Sequence, residues 1–232
     1  MKIALVHLVR RQNPPDAFKK FWKSYLEHPS GVDHDVIIVW KNFIGLDHPN
    51  VSAEANVRHL VVSDHGCDID VYFQVSKIFD YDAFVFLNSW SEINKDGWLK
   101  TMCDAMGEAV GLVGAFSSLE SHRTNFVNGF WKVWREASLR EKFLLLIYAC
   151  YLWLRLEIHI PVHPNFHVRT NGFMISKKVL EQIRKPVIFD KIDAWKFESG
   201  DHSLTRQVRS RGYEVVSLSE SKLIVDNRVR SR

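Results

Sequence analysis

The sequence predicts an α/β protein in which helices lie on both faces of a mostly parallel β-sheet. Short apolar runs alternate with amphipathic helical segments along the chain, which is typical of βαβ units. Most of these runs are apolar almost throughout, as expected for strands that are buried on both faces. The 232 residues, 46% of them hydrophobic, are enough to bury one sizeable core, so we expect a single domain over residues 1–232.

Each element follows from one of these two patterns. The run IALVHLV predicts the first strand, Ile3–Val9, and the helical spacing of four aromatic residues predicts the first helix, Asp16–Glu27. The other predicted strands are Asp35–Trp40, His59–Ser63, Ala83–Leu87, Val110–Phe116, Arg169–Ile175 and Tyr213–Leu218. The other predicted helices are Asp68–Phe79, which begins near an acidic N-cap, Trp98–Met106, Lys177–Arg184 and Asp201–Arg211.

The net charge and the cysteine content indicate which partners and which cellular compartment suit this protein. A net charge of +4 suits nucleotide phosphates or an anionic membrane surface, but there is no basic tail of the kind that binds nucleic acid. The three cysteines lack CxxC spacing, so they indicate neither a disulfide framework nor a zinc site. A cytoplasmic location is therefore expected, and the first residues lack the pattern of a signal peptide.

Several common motifs are missing from the sequence. It has no GxxxxGK[ST] loop, no GxGxxG turn after the first strand, no GxSxG elbow and no HExxH pair. His159, His163 and His167 recur every four residues, but Pro161 and Pro164 interrupt a continuous helix. A loop or core role for these histidines is therefore favoured over a metal site.

A resemblance to the GT-A type of nucleotide-sugar glycosyltransferases, close to family two, rests on the order of the motifs. The stretch VVSDHGCDIDVYFQVSKIFDYDAFVFLNSW has that family's succession of strand, turn, helix and hydrophobic strand. The phrases FLNSWSEI, NFHVRTNGFMIS and FESGDHSLTRQ are similar to those of a narrower bacterial group. The resemblance covers Met1–Leu119 and Pro164–Leu218. It implies a GT-A-like fold, with an insertion at about residues 120–163.

The family's Asp-x-Asp motif is where this chain departs from the resemblance. Asn88 stands in place of the first aspartate and Trp90 in place of the second. In the family those carboxylates hold Mn²⁺ or Mg²⁺. Here either Glu92 supplies the charge for a metal, or arginines neutralise the donor diphosphate without one. A simple Asx-type turn at Asn88 is the structural alternative.

The resemblance also implies a nucleotide-sugar site at the carboxyl ends of the first strands, where ligands of α/β sheets bind. Gly66 lies at the turn where the backbone would approach the ligand. Arginine side chains would carry the diphosphate charge. The candidate binding residues are Leu8, Val9, Arg10, Arg11, Asp64, Gly66, Asp68, Asn88, Ser89, Arg169, Asn171 and Arg206.

The phrase FESGDHSLTRQVRSRGYEVV resembles the family's late acidic motif. Counted back from Gly212, Asp201 occupies the place of the aspartate that opens a helix there. The resemblance implies that Asp201 is the general base toward an acceptor hydroxyl and that Glu198 orients the acceptor. The alternative is that Asp201 only caps its helix.

The insertion contains the apolar run Phe143–Leu154, flanked by Arg140, Lys142 and Arg155. The run is too short to span a bilayer, so it predicts a buried core helix, a dimer interface, or peripheral membrane contact through residues 128–158.

As a whole the sequence predicts an inverting, hexosyltransferase-like enzyme that moves a sugar from a nucleotide-sugar to a glycan or lipid-linked acceptor in polysaccharide biosynthesis. The alternative is a catalytically inactive nucleotide- or glycan-binding module. A nucleotidyltransferase would need a glycine-rich loop after the first strand, which this chain lacks.

Overall fold

The strands and helices of the computed structural model follow the predicted alternation, and the model describes residues 1–44, 57–63, 67–157 and 159–226. The strands are β1 (Ile3–Arg10), β2 (Asp35–Lys41), β3 (Val57–Val62), β4 (Ala83–Leu87), β5 (Ser91–Ile93), β6 (Val110–Gly114), β7 (Ser117–Ser118), β8 (His167–Val168), β9 (Gly172–Ser176), β10 (Glu214–Ser217) and β11 (Ile224–Asp226). The helices are α1 (Pro15–Glu27), α2 (Ile69–Ile78), α3 (Trp98–Ala105), α4 (His122–Glu136), α5 (Leu139–Glu157), α6 (Lys177–Leu180), α7 (Lys191–Ser199) and α8 (Leu204–Ser210).

Within these residues the central sheet has seven strands in the order β10-β6-β9-β4-β1-β2-β3. Strands β1 to β4 run parallel, and β10 runs parallel to β6. Strand β9 is antiparallel to both of its neighbours, β4 and β6. The start of β9 therefore lies at the edge of the sheet where β4 and β6 end. Two small ribbons, β5 with β11 and β7 with β8, complete the described strands.

Alternation along the buried strands builds a core on each face of the sheet. On β1, Ala4, Val6 and Leu8 face the layer of α2, α6, α7 and α8, whereas Ile3, Leu5 and Val9 face α1 and α3. His7 is on the α1 face, where its ring stacks on Phe21 with the centroids 3.5 Å apart. The predicted layered α/β architecture is confirmed.

Several element boundaries differ from the predictions. The ninth strand begins at Gly172 rather than at Arg169, and α6 is a single turn that ends at Leu180. The helix predicted from Asp201 begins only at Leu204. Asp68 precedes α2 but forms no side-chain cap, because Lys41 holds its carboxylate instead.

The insertion forms an antiparallel helical hairpin, α4 and α5, rather than a core helix. No residue of α4 is buried, and nine large apolar residues of α5 are exposed. Arg155 fixes the base of the hairpin, since its guanidinium donates to Asp190 at 2.5 Å and to Asp193 at 2.7 Å. The prediction of a helix buried against the sheet is wrong. No helix of the described residues combines the length and the apolar character needed to cross a bilayer.

Candidate functional site

Polar side chains gather at the carboxyl edge of the sheet, where β4 ends and β9 begins. Leu87 and Gly172 pair across the two strands, so the residues that flank them, Asn88 and Asn171, are neighbours. The backbone N–H of Asn88 donates to the carbonyl of Asn171 at 3.1 Å. Both asparagines were predicted from the sequence, and the antiparallel β9 brings them together.

Asn88 forms the Asx-type turn that was the structural alternative. Its side-chain oxygen accepts hydrogen bonds from the N–H of Trp90 at 2.9 Å and from the hydroxyl of Ser91 at 3.0 Å. An amide oxygen has two lone pairs, so these bonds use its accepting capacity. Asn88 is therefore built to shape the turn, and its oxygen is not presented to a metal ion.

A carboxylate that the sequence reasoning missed lies beside this turn. Asp226, at the end of β11, accepts hydrogen bonds from the side-chain amides of Asn171 at 2.7 Å and Asn88 at 3.4 Å. Strand β11 pairs with β5 so that Asp226 is opposite Ser91 and Val225 is opposite Glu92. Because neighbouring strand residues face opposite sides, Glu92 points away from the cluster that Asp226 joins.

Two buried oxygens of this cluster lack partners among the described residues. They are the hydroxyl of Ser89, which is 4% exposed, and the side-chain carbonyl of Asn171. Buried polar groups almost always have a hydrogen-bond partner, so unpartnered ones call for an explanation. Together with Asn88 and Asp226, these two residues form what we name the strand-edge cluster: Asn88, Ser89, Asn171 and Asp226.

Basic residues lie at the ends of β1 and β2. The side chain of Lys41 is fully buried, and its ammonium donates to the carbonyl of Cys67 at 2.6 Å and to Asp68 at 3.0 Å. The guanidinium of Arg10 lies 4.0 Å from the same carboxylate oxygen. Asp68 is thus held between two cations, and Lys41 is a further residue that the sequence reasoning missed. The only feature of the sequence that could have identified Lys41 is its position, since it is a lysine directly after the apolar run of a buried strand.

The remaining predicted residues occupy different settings. Leu8 and Val9 are buried in the core through β1, whereas Arg11 is exposed at the first turn after that strand. Asp64 and Gly66 lie outside the described residues. His167 is buried against the carbonyl of Asn165, and His159 and His163 are exposed. The described residues contain no cluster of three or more histidine, cysteine or acidic side chains placed to hold a metal.

Hydrogen bonds join the acidic motif, FESGDHSLTRQ, to the segment that leads into β9. The amide of Asn165 donates to the carbonyl of Ser199 at 2.6 Å, and the N–H of Val168 donates to the hydroxyl of Thr205 at 2.9 Å. The guanidinium of Arg169 donates to Glu198 at 3.3 Å. The two motifs singled out in the sequence, NFHVRTNGF and FESGDHSLTRQ, are therefore neighbours, and Arg169 and Glu198 form an ion pair.

Glu198 and Asp201 occupy distinct surroundings. Glu198, in the last turn of α7, is largely buried, and its charge opposes the lowering of the pKa of His122 that burial causes. Asp201 is exposed in the turn between α7 and α8, 4.0 Å from Arg206. It does not cap α8, because the hydroxyl of Ser203 accepts from Arg206 N–H at that helix's N-cap. The prediction of Asp201 as a helix cap is wrong.

Gly200 explains why the turn between the two carboxylates is tight. A Cβ at this position would lie 2.5 Å from the carbonyl oxygen of Lys196 and 2.6 Å from that of His159. Both contacts are with backbone, so they could not be relieved by moving a side chain. Beyond the turn, Asp201 lines a surface cavity of about 670 Å³ together with Phe166, His202, Arg206, Gln207, Arg209 and Ser210.

The sheet order, the antiparallel β9 and the polar edge define a GT-A-like fold. Over 93% of its length the chain is similar to the mannosyltransferase PcManGT from Pyrobaculum calidifontis in complex with GDP-Man and Mn²⁺, with 9% identity, a TM-score of 0.50 and 54% of that chain covered. It is also similar to glucosyl-3-phosphoglycerate synthase from Mycobacterium tuberculosis in complex with Mn²⁺, UDP and phosphoglyceric acid, with 12% identity, a TM-score of 0.49, and 93% and 67% of the two chains covered. No family model and no curated protein sequence matches this chain.

Proposed function

We propose that this protein transfers a sugar from a nucleotide-sugar donor to a glycan or lipid-linked acceptor. The observation that carries the proposal is the strand-edge cluster, whose unpartnered buried oxygens lie where α/β sheets bind ligands. The GT-A-like fold and the neighbouring ion pair of Arg169 and Glu198 support it. We place the reaction in bacterial polysaccharide biosynthesis, on the resemblance of the motifs.

The donor diphosphate would lie at the carboxyl edge of the sheet, between Arg10 and Arg11 at the end of β1 and Arg169 just before β9. Guanidinium groups carry a permanent charge and match phosphate oxygens in pairs, so they can stabilise the leaving diphosphate. Arg169 is half exposed, although it donates to Glu198. Asp64 and Gly66 remain proposed donor contacts.

The strand-edge cluster suits the hydroxyl groups of the donor sugar. Asp226 is a carboxylate, and the free oxygens of Asn171 and Ser89 are hydrogen-bond acceptors that a sugar hydroxyl would satisfy. Mn²⁺ and Mg²⁺ are normally held by carboxylates together with donor phosphates. The described part of the cluster offers a single carboxylate and no pair, so it does not fit the family's metal centre, and we propose weak metal dependence. Glu92 is the residue to examine if a metal proves essential.

The acceptor would be activated by Asp201. This exposed carboxylate lines the cavity of about 670 Å³, whereas Glu198 is already paired with Arg169 and suits an orienting role. In one displacement, Asp201 takes the proton of the acceptor hydroxyl while that oxygen bonds to the anomeric carbon. The bond from that carbon to the diphosphate breaks, and the nucleoside diphosphate leaves with the electron pair. Attack from the opposite face inverts the configuration.

Two matched variants test this assignment. Asp201→Asn keeps the shape of the side chain but cannot accept the proton, so turnover should fall by roughly 10² to 10⁴ while nucleotide affinity is retained. Glu198→Gln should raise the acceptor KM more than it lowers kcat. If Asp201→Asn has normal turnover and Glu198→Gln has none, the base is Glu198.

The alternative, an inactive binding module, is favoured by the Asn88 turn in place of paired carboxylates. An inactive module would bind the nucleotide, and both variants would leave that binding unchanged. For an inactive module, no combination of donor and acceptor would yield a product, so there would be no product formation for Asp201→Asn to reduce.

A further inference from the structure

The hairpin formed by α4 and α5 carries an apolar surface that the rest of the described chain does not cover. The exposed fractions of nine large apolar residues of α5 lie between 41% and 88%, and two more such residues are exposed on α4. These residues are Leu139, Phe143, Leu144, Leu146, Ile147, Tyr148, Tyr151, Trp153 and Leu154 on α5, with Trp131 and Val133 on α4.

The half-buried apolar residues in the described part of α5 form one stripe. Leu145, Ala149 and Leu152 recur at helical spacing, as expected for the side that packs on α4. Around the rest of its circumference α5 is apolar and exposed between Phe143 and Leu154. A helix that is apolar all round is normally buried in a protein core or in lipid. The described residues leave this surface open, so a partner that covers it would have to present an apolar surface of its own.

The charges beside this surface indicate the chemistry of that partner. Apart from Arg155, which is paired with Asp190 and Asp193, the hairpin carries five basic residues against three acidic ones: Arg123, Lys132, Arg135, Arg140 and Lys142 against Glu136, Glu141 and Glu157. The exposed apolar surface is thus bordered by a net positive charge, mostly near the turn between the helices.

An anionic lipid bilayer satisfies both features, since it offers hydrocarbon and negatively charged headgroups side by side. A second copy of the protein would bring like charges together at this surface. The amphipathic rings of Trp131, Tyr148, Tyr151 and Trp153 are also suited to the headgroup level.

The hairpin would lie flat rather than insert by its tip. Arg135, Arg140 and Lys142 flank the turn, and moving them into hydrocarbon is strongly unfavourable. The apolar run Phe143–Leu154 would extend about 18 Å along the membrane plane at the rise of an α-helix.

We propose that α4 and α5 dock the protein flat on the surface of an anionic phospholipid bilayer. The docked hairpin is joined to the acidic motif, because Arg155 pairs with Asp190 and Asp193 at the start of α7, the helix that ends just after Glu198. His122, the first residue of α4, stacks on Trp195 of α7 with ring centroids 4.3 Å apart. The surface would thus bring Glu198 and Asp201 close to lipid, although docking does not depend on the proposed sugar transfer.

Flotation of the full chain with vesicles tests the proposal. Vesicles of phosphatidylglycerol and phosphatidylcholine should carry the protein, whereas pure phosphatidylcholine vesicles should carry at least tenfold less. The variant Phe143→Ser/Ile147→Ser should lower the partition coefficient at least tenfold, because both side chains are exposed at i and i+4 on the apolar surface. The control Leu26→Ser/Ile78→Ser, which changes exposed apolar residues on α1 and α2, should leave it unchanged.

A charge variant gives an independent readout. Lys132→Gln/Arg140→Gln should weaken binding to anionic vesicles roughly tenfold, and added salt should remove the difference from the wild type. Unchanged urea unfolding curves would show that each variant is folded.

Equal binding to neutral and anionic vesicles, or no vesicle binding at all, would overturn the proposal. So would a stable dimer in sedimentation without lipid that Phe143→Ser/Ile147→Ser converts to a monomer, because a second copy would then be the occupant of the surface. If the wild-type protein binds anionic vesicles but transfers no sugar, the proposed function alone would be contradicted.

Discussion

Protonation of a single buried histidine should make this protein sensitive to acid. His7 lies in the middle of β1, fully buried and stacked on Phe21, and neither ring nitrogen has a hydrogen-bond partner among the described residues. Burial disfavours the charged imidazolium and lowers the pKa of His7 from 6.5 to about 3. The unfolded chain therefore takes up a proton below pH 6.5 that the folded protein does not bind.

The sign and size of the effect follow from this difference. Stability is complete above the unfolded pKa and is lost as the pH falls from about 6.5 toward the folded value, because the unfolded state binds more protons in that window. From pH 7.5 to pH 5, this histidine alone should remove about 2 kcal/mol from the free energy of unfolding. The value at pH 5 depends little on the folded pKa, provided that it lies well below 5.

Urea unfolding at the two pH values measures this loss. His7→Leu replaces the ring with an apolar side chain and should reduce the decrease between pH 7.5 and pH 5 by about 2 kcal/mol. His202→Leu, at an exposed position, is the control and should keep the wild-type decrease. An identical pH dependence in His7→Leu and the wild type would refute the reasoning. Partly buried His34 and His122, whose pKa values are also lowered by burial, contribute equally to both proteins.

Two further predictions concern the donor. Asp226→Asn should raise the KM for the nucleotide-sugar by roughly 10- to 100-fold, because a charged hydrogen bond to the sugar is lost. The affinity for the free nucleoside diphosphate should be unchanged; steady-state kinetics measures the KM and calorimetry the affinity. The control Glu92→Gln, on the opposite face of the ribbon of β5 and β11, should have little effect on either quantity. EDTA should leave sugar transfer largely intact in a product assay; loss of transfer that Mn²⁺ restores would contradict the metal-free proposal.

The predictable part of the fold was local. The apolar runs and aromatic spacing identified β1, β2, β4 and α1 within one or two residues, because burial on both faces leaves a strong pattern. Helix α7 was missed, since its apolar residues do not follow one helical face.

The candidate site was only partly predictable, because its decisive contacts join distant residues. The end of β4 at Leu87 was predicted correctly, but the carboxylate that accepts from the side-chain amide of the next residue, Asn88, is Asp226, which follows 138 residues later on a three-residue strand. No local pattern specifies that pairing. The start of α8 was misplaced for a different reason, since Asp201 and Ser203 are both good N-cap residues and only the backbone path around Gly200 selects Ser203.

The most direct test of the account is whether a nucleoside diphosphate binds the folded chain. Thermal unfolding should be followed with UDP, GDP and dTDP, with and without Mn²⁺, in the wild type and in Arg169→Gln. At a concentration near 100 Kd, one nucleotide should raise the Tm by roughly 5 to 10 °C, with little dependence on Mn²⁺. Arg169→Gln should reduce that shift. No shift with any nucleotide, or a shift that Arg169→Gln leaves unchanged, would contradict a donor site at the strand edge.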